Sequence, residues 1–301
     1  MVSELNVKIA VLIATYNGNQ WIEQQLLSIL NQTKVSVTVF LSDDMSDDGT
    51  FEKATELAKK FTNIRILHRV KHGTPAKNFH YLIKSIDFSE FDLVALSDQD
   101  DVWMPEKLYQ AYVQITQKNF DAYSSSIIAK FSDSSEKYIK KSYPQRSFDY
   151  LFESAGPGCT YVLKVSVLIA YSRFIKLNKK LVNDINRHDW TLYAFVRSKQ
   201  YKWFIDSEPF MFYRQHSNNA EGVNLGFKAI KNRIMSINNG TYRKKCLSIV
   251  MLCEPDNSIF LKLLNGKWIS GLILIKHLSK IRRSPKVQLL MAILLVFRIF
   301  R

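Results

Sequence analysis

An open α/β fold, with a mostly parallel central sheet and helices on both faces, is the class this 301-residue sequence predicts, followed by a basic C-terminal helical extension. Three observations predict it. Short apolar runs alternate with stretches of helical spacing through the first third of the chain. The apolar runs end in polar or acidic clusters, and the charge then swings from acidic to strongly basic. Residues 1–110 carry 11 basic and 15 acidic side chains, net −4, whereas residues 111–301 carry 31 and 12, net +19. From Asn257 to Arg301 there are nine Lys or Arg and no acid.

Ile9 to Ala14 form an apolar run that stops at Thr15-Tyr16-Asn17-Gly18, and Trp21, Ile22, Leu26, Ile29 and Leu30 follow at helical spacing. Val37, Val39 and Leu41 alternate as a second strand that stops at Ser42-Asp43-Asp44; Phe51, Ala54, Leu57, Ala58 and Phe61 mark the next helix. Ile64 to Leu67 make a short third strand. The Gly73-Thr74-Pro75 turn opens a helix with Phe79, Leu82, Ile83 and Ile86, and Leu93 to Leu96 make the fourth strand. Such alternation implies crossover units and a parallel sheet. Further on, Phe120 to Phe131 predict a strand and Ser132 to Ser147 a polar loop. Gly156-Pro157-Gly158-Cys159 makes a tight turn, which either brings backbone close to a ligand or simply joins two elements.

Ligands of open α/β sheets sit beyond the carboxyl ends of strands, near the point where strand order reverses. Thr15-Tyr16-Asn17, Asp43-Asp44 and Asp98-Gln99-Asp100-Asp101 end three of the strands, so one rim would gather them. Carboxylates this crowded repel one another unless a cation sits among them, which suits Mg²⁺ or Mn²⁺ with its preference for oxygen ligands. The competing reading is a helix start, with Asp100 or Asp101 capping a helix near Pro105. Neither GxGxxG after the first strand nor GxxxxGK[ST] occurs, which argues against a dinucleotide fold and a P-loop.

Composition bounds the rest. At 47% apolar residues the chain can bury a real core and is not of the disordered class. Its three cysteines, Cys159, Cys246 and Cys253, lack CxxC spacing, which points to a reducing compartment. Met1 to Asn6 carry no basic patch before an apolar core, so a cytoplasmic protein is expected. The longest uncharged apolar run, Val287 to Phe297, has 11 residues, against the roughly 20 of a spanning helix. Basic residues beside apolar segments of this length suit a helix lying on an anionic leaflet; an intramolecular helical pair or a dimer interface is the alternative.

Ala14-Thr15-Tyr16-Asn17-Gly18, Ser42-Asp43-Asp44-Met45-Ser46-Asp47-Asp48-Gly49-Thr50 and Ser97-Asp98-Gln99-Asp100-Asp101-Val102-Trp103, in that order, resemble the motifs of a family 2 glycosyltransferase of the Rossmann-like GT-A fold, in its bacterial rhamnosyltransferase-like branch. The resemblance covers residues 7 to 220. It implies a transferase domain over 1–220, with a nucleotide-binding part at 1–110 and an acceptor-binding part at 111–220, and leaves 221–301 as the basic helical extension. It assigns the nucleotide sugar to Thr15, Tyr16, Asp43, Asp44, Lys77, Asn78, Asp98 and Arg214, and the metal to Asp100 with His216 as a further ligand. Gly156, Gly158 and Trp190 fall on the acceptor side. His188-Asp189-Trp190 stands where the family has its catalytic aspartate, with His188 in place of the commoner glutamate; Asp189 is then the base. Read without the resemblance, Asp189 is a capping or salt-bridged aspartate beside Arg187. Tyr213-Arg214-Gln215-His216-Ser217-Asn218-Asn219 resembles the branch's closing motif.

The implied activity is inverting, metal-dependent transfer of a sugar from a UDP- or dTDP-sugar to a hydroxyl of a saccharide or lipid-linked acceptor. The implied setting is surface polysaccharide synthesis on the inner face of a bacterial plasma membrane, with no nucleic-acid partner and with homo-oligomers compatible. Two rivals share features with it. A nucleotidyltransferase would also use an acidic metal site but needs a glycine- and basic-rich triphosphate loop. A nucleic-acid-binding protein would explain the charge of +15, against an acidic first third and no basic-aromatic ladder.

Overall fold

The computed structural model describes residues 7–216, 235–264 and 268–297. Packing divides the chain into two compact units: residues 1–142, 156–177 and 200–215 form the first, and residues 143–155, 178–199 and 216–301 the second. This division differs from the cut near residue 220 that the resemblance implies, because residues 143–155 and 178–199 pack with the C-terminal helices.

The first unit is built on β1 (Lys8–Thr15), β2 (Ser36–Asp43), β3 (Ile64–Ile66) and β4 (Leu93–Ser97), all parallel, in the spatial order 3-2-1-4. The side chains of β4 are buried throughout, which explains its unbroken apolar sequence. The path moves outward through α1 (Ile22–Leu30) and α2 (Thr50–Lys60), then reverses through α3 (Pro75–Ser85) to reach β4. Right-handed crossovers therefore put α3 on the opposite face from α1 and α2. α1 accordingly packs on α2, and α3 on β1, β2 and α5 (Val165–Leu177). Thr74 caps α3, accepting from the Lys77 N–H at 3.3 Å, with Pro75 in the first turn.

The sheet continues through β9 (Val162–Lys164), antiparallel to β4, then β6 (Ala122–Ser125) and β10 (Trp203–Asp206). A second sheet joins β5 (Val102–Trp103), β11 (Met211–Arg214), β7 (Ile127–Lys130) and β8 (Glu136–Ile139). Two expectations are corrected here. The single strand expected over 120–131 is two, because the chain changes sheets at Ser126, whose N–H donates to the Asp206 carbonyl at 2.9 Å. The polar stretch 132–147 contains β8, an edge strand whose inner side pairs with β7 while most of its side chains face solvent.

In the second unit, α6 (Lys179–Ile185) packs on the helix Thr241–Cys253, and α7 (His188–Ser198) packs on the same helix. Helices Ser258–Leu263, Trp268–Ile275, Leu278–Ile281 and Pro285–Val296 follow among its described residues. Its interior is also charged. Asp149 accepts from Arg197 at 3.0 Å and Tyr193 at 2.9 Å and lies 3.5 Å from Arg283. Glu153 pairs with Arg282 at 3.4 Å and with Arg283 at 3.3 Å. Two cations of the basic tail are thus buried in ion pairs instead of facing outward. No described helix is long and apolar enough to cross a membrane.

Candidate active site

Thr15 and Asp43 stand opposite each other at the ends of β1 and β2, and Ser97 lies two residues short of Thr15's level on β4. The fully buried Asp43 accepts from Thr15 Oγ1 at 2.9 Å, Ser46 Oγ at 2.5 Å, the Ser46 N–H at 2.9 Å and Arg69 Nε at 2.9 Å. Four donors fill a carboxylate's acceptor sites. Arg69 also lies 4.7 Å over the Phe51 ring. Asp44 accepts from the backbone N–H groups of His72 and Gly73, the latter at 2.8 Å to Oδ2. Its own N–H donates to the Thr15 carbonyl at 2.9 Å. The loops after β1 and β2 are stitched together further out, where Gly18 N–H donates to Thr50 Oγ1 at 2.8 Å and Asn17 N–H to Ser46 Oγ at 2.9 Å. Tyr16 is left 58% exposed on this rim.

The loop after β4 is tied to the same rim. Gln99, between the two aspartates of the DxD pattern, hydrogen-bonds both the N–H and the carbonyl of Tyr16. From β11, Arg214 donates through Nε to the Asp100 carbonyl at 3.0 Å and through Nη2 to Gln24 Oε1 at 2.7 Å. Arg214 thus braces the acidic loop.

Asp101 does not cap a helix. The strand β5 follows it immediately, α4 (Lys107–Tyr112) opens only after Glu106, and Asp101 is 1% exposed beneath the loop. Its ligand oxygen, that of Asp98 and the Cys159 sulfur lie within 4.8 Å of one another. The antiparallel pairing of β9 with β4 is what delivers Cys159 there. Neither Asp101 oxygen completes a hydrogen bond, and burial, with the charges of Asp100 and Asp98, holds its pKa well above the usual carboxylate range. Only with a positive partner would this group ionise. Lys107, itself fully buried, places its Nζ 3.5 Å over the Trp103 ring; burial pushes its pKa down to about 7, opposed by Cys159 and Asp101. The Cys159 thiol is held protonated by burial and by Asp101 and Asp98. The donor set therefore fits a hard divalent cation through Asp98, Asp101 and the neighbouring Asp100, with the thiol as lining.

Lys77 is exposed on the first turn of α3. Asn78 is buried, its Nδ2 donating to the Ser42 carbonyl at 3.0 Å, which fastens α3 to the end of β2. Gly156 has φ +153°, a conformation open to glycine, and its carbonyl accepts from Tyr161 Oη at 3.1 Å; Gly158 begins the 3₁₀ turn that carries Cys159.

In the second unit, Asp189 sits in the first turn of α7 and takes both Arg187 Nε and Nη2 at 3.2 Å. Burial raises its pKa, but Arg187, His188 and the Trp190 N–H more than offset this and bring it down to about 2. Burial pushes His188 down to about 4. Asp189 is consequently ionised at any neutral pH. Trp190 is a core residue: it is buried, its Nε1 donates to the Tyr150 carbonyl at 2.8 Å, and its ring stacks on Tyr242 at 5.9 Å. His216 opens the last segment of this unit, and Ser217-Asn218-Asn219 of the closing motif lie outside the described residues.

Gln99, Arg69, Cys159 and Lys107 carry no motif signal of their own. Their places follow from long-range pairing, although Lys107 could have been suspected as a lone cation on the apolar side of a helix.

The chain is similar to known proteins. The family model of glycosyl transferase family 2 matches residues 10–185. The dTDP-rhamnosyl transferase RfbG of Shigella flexneri is 40% identical over 290 residues, spanning 96% of this chain and 100% of the relative. The UDP-Glc:alpha-D-GlcNAc-diphosphoundecaprenol beta-1,3-glucosyltransferase WfgD of Escherichia coli is 21% identical, over 75% of this chain and 77% of its own. S. aureus TarS 1-349, solved in complex with UDP-GlcNAc, is similar in fold with a TM-score of 0.52 at 15% identity, covering 98% of this chain and 88% of that one. The mannosyltransferase PcManGT from Pyrobaculum calidifontis, solved with GDP-Man and Mn2+, gives a TM-score of 0.53 at 14% identity, covering 97% and 86%.

Proposed function

The chain belongs to glycosyl transferase family 2, and from that premise we propose that it transfers rhamnose from dTDP-rhamnose, with a UDP-hexose as the second-choice donor, to a hydroxyl of a saccharide or lipid-linked acceptor. The observation that carries the reading is the convergence of Thr15, Asp43-Asp44 and Asp98-Asp100-Asp101 on one sheet rim where strand order reverses. Membership makes the protein a glycosyltransferase, so neither rival reading is carried further. The rhamnosyl choice is supported by the relative 40% identical over nearly the whole chain, whose name gives that donor.

On the donor side, the thymine or uracil N3–H would donate to Asp44, since Asp43 has spent its acceptor sites, and Tyr16 would pack on the base. Asp98 would meet the ribose and Lys77 the diphosphate or sugar. Asn78 and Arg214 would act through the elements they fasten. Mn²⁺ or Mg²⁺, when bound by Asp100 with Asp98 and Asp101, supplies Lewis-acid stabilisation of charge on the departing diphosphate; His216 is a candidate further ligand. Asp189 would take the acceptor hydroxyl proton as that oxygen attacks the anomeric carbon and the bond to the diphosphate breaks, inverting configuration. A base at pKa of about 2 works by position: it is always ionised, and hydrogen-bond reach outweighs basicity. Arg187 keeps it oriented, and Trp190 holds its helix in the core. Gly156 and Gly158 would let backbone approach the acceptor. The setting is surface polysaccharide synthesis on the cytoplasmic face of the plasma membrane.

Titration calorimetry of dTDP-rhamnose tests the reading. Binding should require Mn²⁺ or Mg²⁺ and disappear in Asp100→Ala; unchanged affinity in EDTA-treated protein would reject the metal assignment.

A further inference from the structure

Beyond Lys286 and Gln288, helix Pro285–Val296 is apolar on every side, a composition that ordinarily means burial all round. Only one side is buried here, through Met291, Leu294 and Leu295. The other presents Leu289 at 66% exposure, Ile293 at 45% and Val296 at 51%, with Phe297 just past its end at 70%. These positions recur at i, i+4, i+7 and i+8, so they form one stripe. The helix Trp268–Ile275 lies against it, so closely that a Cβ on Gly271 would sit 3.4 Å from Leu295 Cδ2. That helix extends the apolar surface with Ile269 at 69% and Ile273 at 43% exposure. Twelve residues rise only ~18 Å, which is too short to span a bilayer.

We infer that this two-helix face is a docking surface for an anionic lipid bilayer. The charge around it selects the occupant. Lys276, Lys280 and Lys286 are exposed beside or between the two helices, with Lys286 one turn before Leu289 on the stripe itself. No acidic residue occurs from Asn257 to Arg301, while Arg282 and Arg283 are turned inward to Glu153 and Asp149. A second copy would bring the same lysines against these in a two-fold contact. Anionic headgroups complement them, and the apolar stripe fits the headgroup–acyl boundary. The inference rests on the transferase reading only for its purpose, which is to hold the enzyme where a lipid-linked acceptor lies.

Co-sedimentation of the full chain with vesicles of phosphatidylglycerol and phosphatidylcholine, against phosphatidylcholine alone, tests it. The wild type should bind the anionic vesicles in a salt-sensitive manner. Leu289→Glu with Ile293→Glu should cut partitioning about tenfold or more while nucleotide-sugar turnover stays unchanged. Lys276→Gln, Lys280→Gln and Lys286→Gln together should remove the salt-sensitive part, again about tenfold. Leu289→Ser with Ile293→Ser replaces the glutamate pair if the latter lowers the melting temperature. Wild-type partitioning by both pairs overturns the inference. So does a dimer in sedimentation velocity that these substitutions dissociate, in a protein that ignores vesicles. Vesicle binding by a chain that turns over no nucleotide sugar upholds this surface and sinks only the functional reading.

Discussion

The side-chain amide of Gln99 grips the backbone of Tyr16 from two directions: its oxygen accepts from the Tyr16 N–H at 2.8 Å, and its nitrogen donates to the Tyr16 carbonyl at 2.8 Å. The residue between Asp98 and Asp100 thereby clamps the acidic loop to the loop that would carry the base. Gly18 belongs to the same clasp, because a Cβ there would overlap the Gln99 amide. Two hydrogen bonds of about 1 kcal/mol each are at stake. Gln99→Ala should raise the donor KM about tenfold with a smaller change in kcat, and Gly18→Ala should reproduce it by displacing the amide. Steady-state kinetics at varied donor concentration check this; a fall in kcat alone would mean that the clasp does not position the donor.

Asp189→Asn keeps the shape of the carboxylate and removes its charge. Transfer should fall by about 10²–10⁴-fold while calorimetric donor affinity holds within about twofold. Turnover at the wild-type rate by the Asp189→Asn enzyme would return Asp189 to the role its Arg187 ion pair alone suggests, that of a helix-start salt bridge.

Asp189 and its neighbour His188 set an acid limb of stability. His188 has its pKa brought by burial to about 4 from the ordinary 6.5, so protons favour the unfolded chain. Its effect on stability is absent above about pH 6.5 and grows as the pH falls towards 4, reaching on the order of 2–3 kcal/mol. Asp189, lowered to about 2, acts in the same sense in a lower window: its stabilisation is present above about pH 4 and is lost as the pH falls from about 4 to 2. His188→Gln should therefore flatten the melting temperature between pH 7 and 4.5 relative to wild type, by differential scanning fluorimetry. Parallel curves for the two proteins would show that His188 titrates normally.

Asp101 is a buried carboxylate without a completed hydrogen bond, beside Asp98. Saturating Mn²⁺ should raise the melting temperature of the wild type, as binding at about 100 Kd adds ~2.7 kcal/mol. Asp101→Asn should melt no lower than wild type in EDTA and lose most of the Mn²⁺ response. Lys107→Met, which removes the nearby buried ammonium, should strengthen that response. An undiminished Mn²⁺ shift in Asp101→Asn would exclude Asp101 from the cation's surroundings.

The first four strands and their helices were legible because burial on both faces imposes continuous apolar runs, and polar strand ends mark where such a sheet binds ligands. Asp43-Asp44 and Asp98-Asp100 could be placed on one rim for that reason. What escaped depends on pairing distant in sequence. Cys159 reaches Asp101 only because β9 runs antiparallel to β4, and Ser126 divides an apparent single strand only because Asp206 holds its N–H. Asp101 read as a helix cap because nothing local announces a two-residue strand such as Val102–Trp103. Charge misled in the tail, where Arg282 and Arg283 look like surface cations in sequence but are buried against Glu153 and Asp149.

Release of nucleoside diphosphate, followed across a panel of nucleotide sugars with Mn²⁺ or Mg²⁺, is the decisive measurement. Release should be greatest with dTDP-rhamnose, stopped by EDTA and lost in Asp100→Ala. No release from any nucleotide sugar, or release that persists undiminished in Asp100→Ala, would contradict the proposed metal-dependent transfer.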